Sequence, residues 1–228
     1  MQNSEQSARG ETRRLFLASA LAIAAIMFAG FAKNYYLRAW LGTRAITAMV
    51  HVHGAVMTAW VALFVTQTLL VARRRTDLHR KLGIIGAFLA IIVVALGVYT
   101  IDRSIVRQHL DTGMGAYALT FAAFDGASLL LFGGFVLTAL RVRSRPQTHK
   151  RLMLMAMISL LPPAFGRFVA YFTHRHVIII VLVLMTASVL LCVCIDTVRH
   201  RRLHPAFAWG GSLVLASNLL TYLAQIAG

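Results

Sequence analysis

Residues 177–202 read VIIIVLVLMTASVLLCVCIDTVRHRR, an apolar stretch that is followed at once by basic residues. A stretch of about 20 apolar residues spans a bilayer as a helix, because lipid offers the backbone amides no hydrogen-bond partner outside the helix itself. Six more such stretches flank this one along the chain. The sequence therefore predicts an all-α integral membrane bundle of seven transmembrane helices. The predicted spans are residues 15–32, 46–72, 82–101, 116–140, 152–172, 177–198 and 206–226.

The composition supports this fold class. Apolar residues make up 59% of the 228 residues and charged residues only 13%, about half the charged fraction of a soluble domain. The seven spans and their turns use almost the whole chain, so we expect a single transmembrane domain over residues 1–228. Residues 1–45 would form the tail, first helix and outer turn, residues 46–172 a core of four helices, and residues 173–228 the last two helices.

The charge is strongly positive, with 23 Lys and Arg against 7 Asp and Glu, a net +16. In a soluble protein this excess would indicate nucleic-acid binding. Here the basic residues fall in the turns, where the rule that cytoplasmic loops keep the positive charge already explains them. We therefore expect the lipid bilayer as partner and no nucleic acid.

The basic residues also predict the orientation. The side that holds the N-terminal tail has 16 of them and the other side has 6, while Arg167 falls within a span. We therefore expect a multi-pass protein of the bacterial cytoplasmic (inner) membrane, with its N-terminus in the cytoplasm and its C-terminus outside. The 16 are Arg9, Arg13, Arg14, Arg73, Arg74, Arg75, Arg80, Lys81, Arg141, Arg143, Arg145, Lys150, Arg151, Arg199, Arg201 and Arg202.

The N-terminus permits an alternative. Residues 12–17 (TRRLFL) are similar to a twin-arginine export signal, and residues 30–32 could be a cleavage site. The apolar run is longer than a signal core of about 7–15 residues, which favours a first helix that is retained. If it is cleaved, six spans remain with the same topology.

Two basic turns indicate an internal repeat. Residues 68–82 align with residues 138–152, and an offset of two spans preserves orientation, so the repeat would be a parallel one. Two ordinary turns that converged on Arg and His are the alternative. The identical pairs are Thr68/Thr138, Leu70/Leu140, Arg73/Arg143, Arg75/Arg145, His79/His149 and Leu82/Leu152.

The repeated histidines are the candidate cofactor ligands. A neutral imidazole nitrogen is a good ligand for haem iron. His79 and His149 would lie at equal depth on alternating helices, where they could hold one haem b between them. Interfacial histidines beside basic turns are the alternative.

Ionisable residues inside a span are candidate functional residues, because burying them in lipid is costly. Three positions in the outer half qualify: the His51/His53 pair, Asp125 and Arg167. His53 shares a helix face with Trp60, so we expect it to point inward and His51 to lie at the interface. Asp125 and Arg167 are expected to form a buried ion pair, which either locks two helices or faces a ligand.

Proline and the remaining histidines and cysteines add smaller expectations. Pro162-Pro163 should kink the fifth span and free backbone carbonyls towards a cavity or a neighbour. The outer-turn histidines could form a metal site with His51, although solvated loop residues explain them as well; they are His109, His174 and His176. Cys192 and Cys194 are expected to be small buried apolar residues.

From residue 48 to residue 170 the chain resembles a widespread uncharacterised family of bacterial multi-span membrane proteins. More distantly, this stretch is similar to the two-haem transmembrane b-type cytochromes of the ascorbate-dependent ferrireductase type. The matching pieces are residues 51–54 (HVHG), Trp60, Gln67, residues 79–83 (HRKLG), Phe124-Asp125, residues 149–153 (HKRLM), Pro163-Ala164 and Arg167.

The cytochrome resemblance implies that His79 and His149 form an inner haem pair and that His53 or His51 is one outer ligand. The fourth span contains no histidine, which leaves one haem, or a related scaffold without haem. The resemblance thus implies a haem-binding membrane electron carrier with a membrane redox or respiratory partner. Two alternatives stay open. One is a non-redox protein whose outer His53/Asp125/Arg167 pocket binds a small ligand or metal, for example during assembly of a respiratory enzyme. The other is a structural partner without chemistry. No catalytic residue is predicted.

Overall fold

The computed structural model describes the backbone of residues 2–43, 45–112, 115–173 and 175–227, and the side chains of residues 13–43, 45–103, 122–173 and 175–226. In these ranges the secondary structure is helical, without a β-strand. The helices are α1 (Gln2–Phe31), a π-helical turn (Ala32–Tyr36), α2 (Ala48–Ala72), α3 (Thr76–Thr112), α4 (Gly115–Arg141), α5 (Pro146–Ser159), α6 (Pro162–Ala170), α7 (Val177–His200) and α8 (Pro205–Ala227).

Seven segments of the described residues are long and apolar enough to cross a membrane, which confirms the predicted all-α membrane fold and the number of spans. The fifth is formed by α5 and α6 together. The segments are Arg13–Tyr36, Ala48–Ala72, Thr76–Arg103, Ala122–Arg141, Pro146–Ala170, Val177–His200 and Pro205–Ile226.

The third and fifth helices begin earlier than the sequence predicts. The predicted spans start at residues 82 and 152, whereas the helices start at Thr76 and Pro146. Hydropathy excludes the basic residues of the turns, but Arg and Lys are good helix formers and continue the helix beyond the apolar run. His79 and His149 are therefore each the fourth residue of a helix.

The chain divides into two compact units, residues 1–93 and 94–228, and the division falls within α3. In unit 1, α1 packs on α2 and the π-helical turn extends this packing. The Tyr36 hydroxyl lies 2.8 Å from Thr58 Oγ1, and the Tyr36 ring stacks on Phe28 at 5.0 Å between centroids. Trp60 and Phe64 of α2 are buried. Thr47 begins α2 as its N-cap, accepting a hydrogen bond from the Val50 amide.

In unit 2 the centre is α5, which packs on α4, α7 and α8. From residue 154 to residue 162 every position of this stretch is buried. Such a helix has no lipid-facing side over this length, so polar groups on it must find partners within the protein.

The fifth span is broken in the middle. α5 ends at Ser159 and α6 begins at Pro162, so the kink predicted at Pro162-Pro163 is confirmed. Proline has no N–H, and its ring clashes with the preceding turn, so a continuous helix cannot pass through two consecutive prolines.

Candidate functional site

The strongest polar contact in unit 2 joins α5 to α7. The Arg151 guanidinium donates from Nε to Asp196 Oδ2 at 2.9 Å and from Nη2 to Asp196 Oδ1 at 2.8 Å. Both residues are buried, Arg151 with 2% and Asp196 with 5% of its surface exposed. Two parallel bonds between a guanidinium fork and a carboxylate are the strongest form of ion pair.

Neighbouring groups bond to the remaining Arg151 N–H donors and lie close to Asp196. Arg151 Nη1 donates to the Gln147 carbonyl at 2.8 Å and to Gln147 Oε1 at 3.0 Å. The guanidinium carbon also lies 5.8 Å from the centre of the Phe207 ring, a cation–π distance. His200 Nδ1 lies 2.8 Å from the Asp196 carbonyl and 3.4 Å from Asp196 Oδ1. A buried ion pair is stable only with such additional bonds, because desolvation of the two charges is costly.

This ion pair lies at one end of the helices of unit 2, which we call the basic end: the end that holds the connections 142–145 and 201–204. The sequence does not predict this pair. Arg151 falls among the basic residues of a predicted turn, although it lies in the second turn of α5. Asp196 is a fourth ionisable position inside a predicted span, residues 177–198.

His149 lies beside this pair on α5, and its contacts set its tautomer. His149 Nδ1 lies 2.8 Å from the Ala139 carbonyl of α4. A carbonyl only accepts, so Nδ1 carries the proton and Nε2 carries the lone pair. Histidines that ligate metals are held in this way by a second hydrogen bond to a backbone carbonyl.

His79 has the same local position on α3. Its backbone N–H bonds to the Arg75 carbonyl at 3.1 Å, as that of His149 bonds to the Arg145 carbonyl at 3.0 Å. Both imidazoles are half-buried. The predicted equivalence of the two histidines thus extends to their place in the first turn, while their joint ligation of one haem stays a prediction.

Asp125 lies on α4 and Arg167 on α6, and both belong to unit 2. Arg167 Nη1 also donates to the Pro163 carbonyl at 3.0 Å, so the guanidinium folds back to the broken part of the fifth span. Asp125 is half-buried, but Arg167 is exposed at the surface of the chain. The predicted buried ion pair of Asp125 and Arg167 stays a prediction.

The two histidines in the first turns of α2 differ in exposure. His51 is exposed and His53 is half-buried, which agrees with the predicted inward direction of His53. The Tyr35 hydroxyl donates to the His51 carbonyl at 3.2 Å, and the Tyr35 ring lies 5.9 Å from the His51 imidazole. The predicted pocket that joins His53 to Asp125 and Arg167 stays a prediction.

The other predicted metal and cysteine positions are only partly described. His109 and His174 lie outside the residues whose side chains the structure describes, and His176 is exposed. Among the described side chains, no group of three or more His, Cys, Asp or Glu residues could hold a metal ion. Cys192 is half-buried but Cys194 is exposed, so the prediction that both are buried is wrong. An exposed cysteine on a membrane helix faces lipid as a small apolar residue.

Comparison with protein-family models, with curated proteins and with solved structures finds no match. The function is therefore inferred from the residues of the chain itself.

Proposed function

We propose that this multi-pass membrane protein binds haem b, with His149 as an axial ligand and the equivalent His79 as the second candidate ligand, and carries electrons in the membrane. The supporting observation is the 2.8 Å hydrogen bond between His149 Nδ1 and the Ala139 carbonyl. It holds the imidazole in the tautomer whose Nε2 can bind iron and prevents the ring from rotating away.

The second ligand follows from the repeat. His79 occupies the fourth position of α3, as His149 does in α5. An imidazole in this position lies close to a basic turn, and guanidinium groups there suit the carboxylates of the haem propionates. Arg75 and Arg145, which precede the two helices, are exposed. A bound haem would supply a one-electron iron couple, with a membrane redox or respiratory protein as electron partner.

The orientation belongs to the same proposal. The excess of basic residues on one side supports a cytoplasmic N-terminus, in the cytoplasmic membrane of a bacterium. Both histidines would then lie near the cytoplasmic face, where a haem could exchange electrons with a partner on that side.

An absorbance spectrum of protein purified after haem-supplemented expression tests this function. The wild type should show a Soret band and the sharp reduced bands of a low-spin b-type haem. His149→Ala and His79→Ala should each lose the low-spin spectrum, whereas His176→Ala, which alters an exposed histidine, should keep it. His149→Gly with added imidazole should regain it, since free imidazole can replace the missing ring. A wild-type protein without a Soret band would overturn the proposal.

A second candidate function is supported by the Asp125–Arg167 pair. These opposite charges lie beside a broken helix, and the Arg167 side chain reaches the surface of the chain. Such a pair can exchange its partners for a small ligand that has both an acidic and a basic group, in a non-redox protein. If the wild-type spectrum lacks haem, thermal stabilisation by zwitterionic compounds that disappears in Arg167→Gln would favour this function. Stabilisation that is equal in wild type and variant would reject it.

A further inference from the structure

The break between α5 and α6 leaves two backbone carbonyls without the donors that a helix would supply. The Ser159 carbonyl would bond to the N–H of residue 163, but Pro163 has none. In a continuous helix the Leu160 carbonyl would accept the N–H of Ala164. That N–H donates to the Leu161 carbonyl instead, at 3.0 Å. Ser159 is 1% and Leu160 9% exposed. A buried carbonyl without a donor is costly, and most costly in a membrane.

The other N–H groups near the break are also engaged elsewhere. In the described residues around the break, none of them reaches the carbonyls of Ser159 or Leu160. The Leu160 N–H donates to the Met157 carbonyl and the Leu161 N–H to the Ile158 carbonyl. The N–H groups of Ala164 and Phe165 both donate to the Leu161 carbonyl.

Contacts between the helices show which residues lie level with the break. The hydrogen bond between His149 and Ala139 aligns α5 with α4. Because the two helices are antiparallel and rise equally per residue, Leu160 lies level with Ser128. The Arg151–Asp196 pair aligns α5 with α7 in the same way.

The alignment of α5 with α7 places Leu161 level with Thr186. The Asn218 side chain of α8 donates from Nδ2 to Thr186 Oγ1 at 3.2 Å, so α8 contributes Asn218 to this level. Ser128 and Asn218 are 6% and 5% exposed. We call Ser128, Ser159, Thr186 and Asn218, together with the freed carbonyls of residues 159 and 160, the polar layer.

The polar layer is rich in acceptors. Its two freed carbonyls can only accept, and Asn218 carries the acceptor Oδ1 beside the Nδ2 that donates to Thr186. The Ser159 hydroxyl donates to the Ala156 carbonyl at 2.8 Å. Several oxygen atoms therefore lie at one buried level of unit 2, and a cation can be held by several oxygens at once.

We propose that the polar layer binds an alkali cation, Na⁺ or K⁺, at the break of the fifth span. Carbonyls freed from a broken membrane helix coordinate such ions, and the carboxyl end of α5 adds the negative end of a helix dipole. The layer contains no carboxylate, so a single positive charge fits it better than a divalent ion. Asp125 lies about one helical turn from Ser128 on α4 and is not part of the layer.

The test compares thermal unfolding of the purified full-length protein in NaCl, KCl and choline chloride at equal ionic strength. Choline has the same charge but is too large for a site between packed helices. Binding to the folded state alone should raise the melting temperature in a saturable way, by something on the order of 5 °C for Na⁺ or K⁺. Equilibrium binding of ²²Na⁺ or ⁸⁶Rb⁺ should saturate at one ion per chain.

Pro163→Ala is the decisive variant. It supplies an N–H that can bond to the Ser159 carbonyl, so the protein should remain folded while the ion-dependent shift disappears. Asn218→Ala should weaken the shift by removing an oxygen. Ser212→Ala on α8 is the matched control, since its hydroxyl is exposed and bonds within its own helix; it should retain the full shift.

Equal melting temperatures in sodium, potassium and choline salts, together with no bound radioactive ion, would overturn the proposal. A full ion-dependent shift in folded Pro163→Ala would also overturn it, because the ion would then bind elsewhere. The haem spectrum does not enter this test, so the cation site and the proposed electron carrier succeed or fail separately.

Discussion

Arg151 and Asp196 are 45 residues apart in the chain and form two parallel charge-assisted hydrogen bonds of 2.9 and 2.8 Å. The pair connects α5, the most buried helix of unit 2, to α7. An ion pair of this kind holds one relative position of two helices, because sliding by one turn would leave both charges unpaired among apolar residues.

The first prediction concerns the loss of one partner. Asp196→Ala leaves the Arg151 guanidinium buried without a carboxylate and should destabilise the protein by about 3–5 kcal/mol. The double variant Arg151→Met/Asp196→Leu removes both charges and should be more stable than the single variant. Thermal unfolding in one detergent can compare the two.

Asp77→Asn is the matched control for this prediction. Asp77 lies 3.8 Å from Arg75, and both side chains are more than half exposed. An exposed pair contributes about 0–1 kcal/mol, so this variant should behave almost as the wild type. A single Asp196 variant that is as stable as the Asp77 variant would contradict the structural role of the buried pair.

Much of the fold follows from the sequence because lipid restricts the choice. Length and hydropathy predict the seven spans, and Pro162-Pro163 predicts the break of the fifth, since each is a local property of the chain. The starts of α3 and α5 do not follow, because hydropathy separates apolar from basic residues and not helix from turn. Arg151 therefore falls in a predicted turn.

The polar contacts depend on which helices are neighbours, and a single sequence does not show which helices pack together. Asp196 could have been found as a carboxylate within a span, but its partner could be any of several arginines. The common level of Ser128, Thr186 and Asn218 likewise requires the registers of four helices. A serine or asparagine in a single span is too common to indicate a site alone.

The second prediction concerns the close approach of α2 to the π-helical turn. A Cβ on Gly54 would overlap the Tyr35 ring, so one of the two must move. Gly54→Ala should therefore displace Tyr35 and destabilise unit 1 by about 1–3 kcal/mol. Gly83→Ala is the control, since its nearest atom is 3.8 Å away. Gly54→Ala/Tyr35→Ala should recover part of the loss in thermal unfolding, because the second change creates the space; no recovery would contradict the steric explanation.

The third prediction concerns pH and His204, which lies between α7 and α8. Burial lowers the pKa of His204 below 6.5, and the positive charge of Arg151 lowers it further. Arg202 and Lys150 also lower this pKa, whereas the carboxylate of Asp196 raises it. His204 Nδ1 also accepts the Ala206 N–H at 3.2 Å, which requires an unprotonated nitrogen. The folded state thus takes up this proton less readily than the unfolded state. Stability should be fully present above pH 6.5 and fall as the pH decreases through the lowered pKa.

His204→Asn separates the cap of α8 from the titration. Asparagine is a good N-cap acceptor and does not titrate, so the variant should keep its stability near neutral pH and lose part of the decrease below it. Unfolding curves between pH 7 and pH 5 are the measurement. A variant with an unchanged pH dependence would assign the titration to another group.

The fourth prediction concerns topology. The basic residues number 16 on the side of the N-terminus and 6 on the other side, so translocation should keep the connection at residues 142–145 in the cytoplasm and place residue 110 outside. Fusions of a periplasm-active and a cytoplasm-active reporter at residues 110 and 147 should give opposite results. Replacing the three arginines at 141, 143 and 145 by glutamine should weaken the retention of that turn, because the charge bias then depends on Lys150 and on Arg151, which Asp196 already neutralises. The same compartment for both wild-type fusions would contradict the orientation, since four spans precede residue 147 and three precede residue 110.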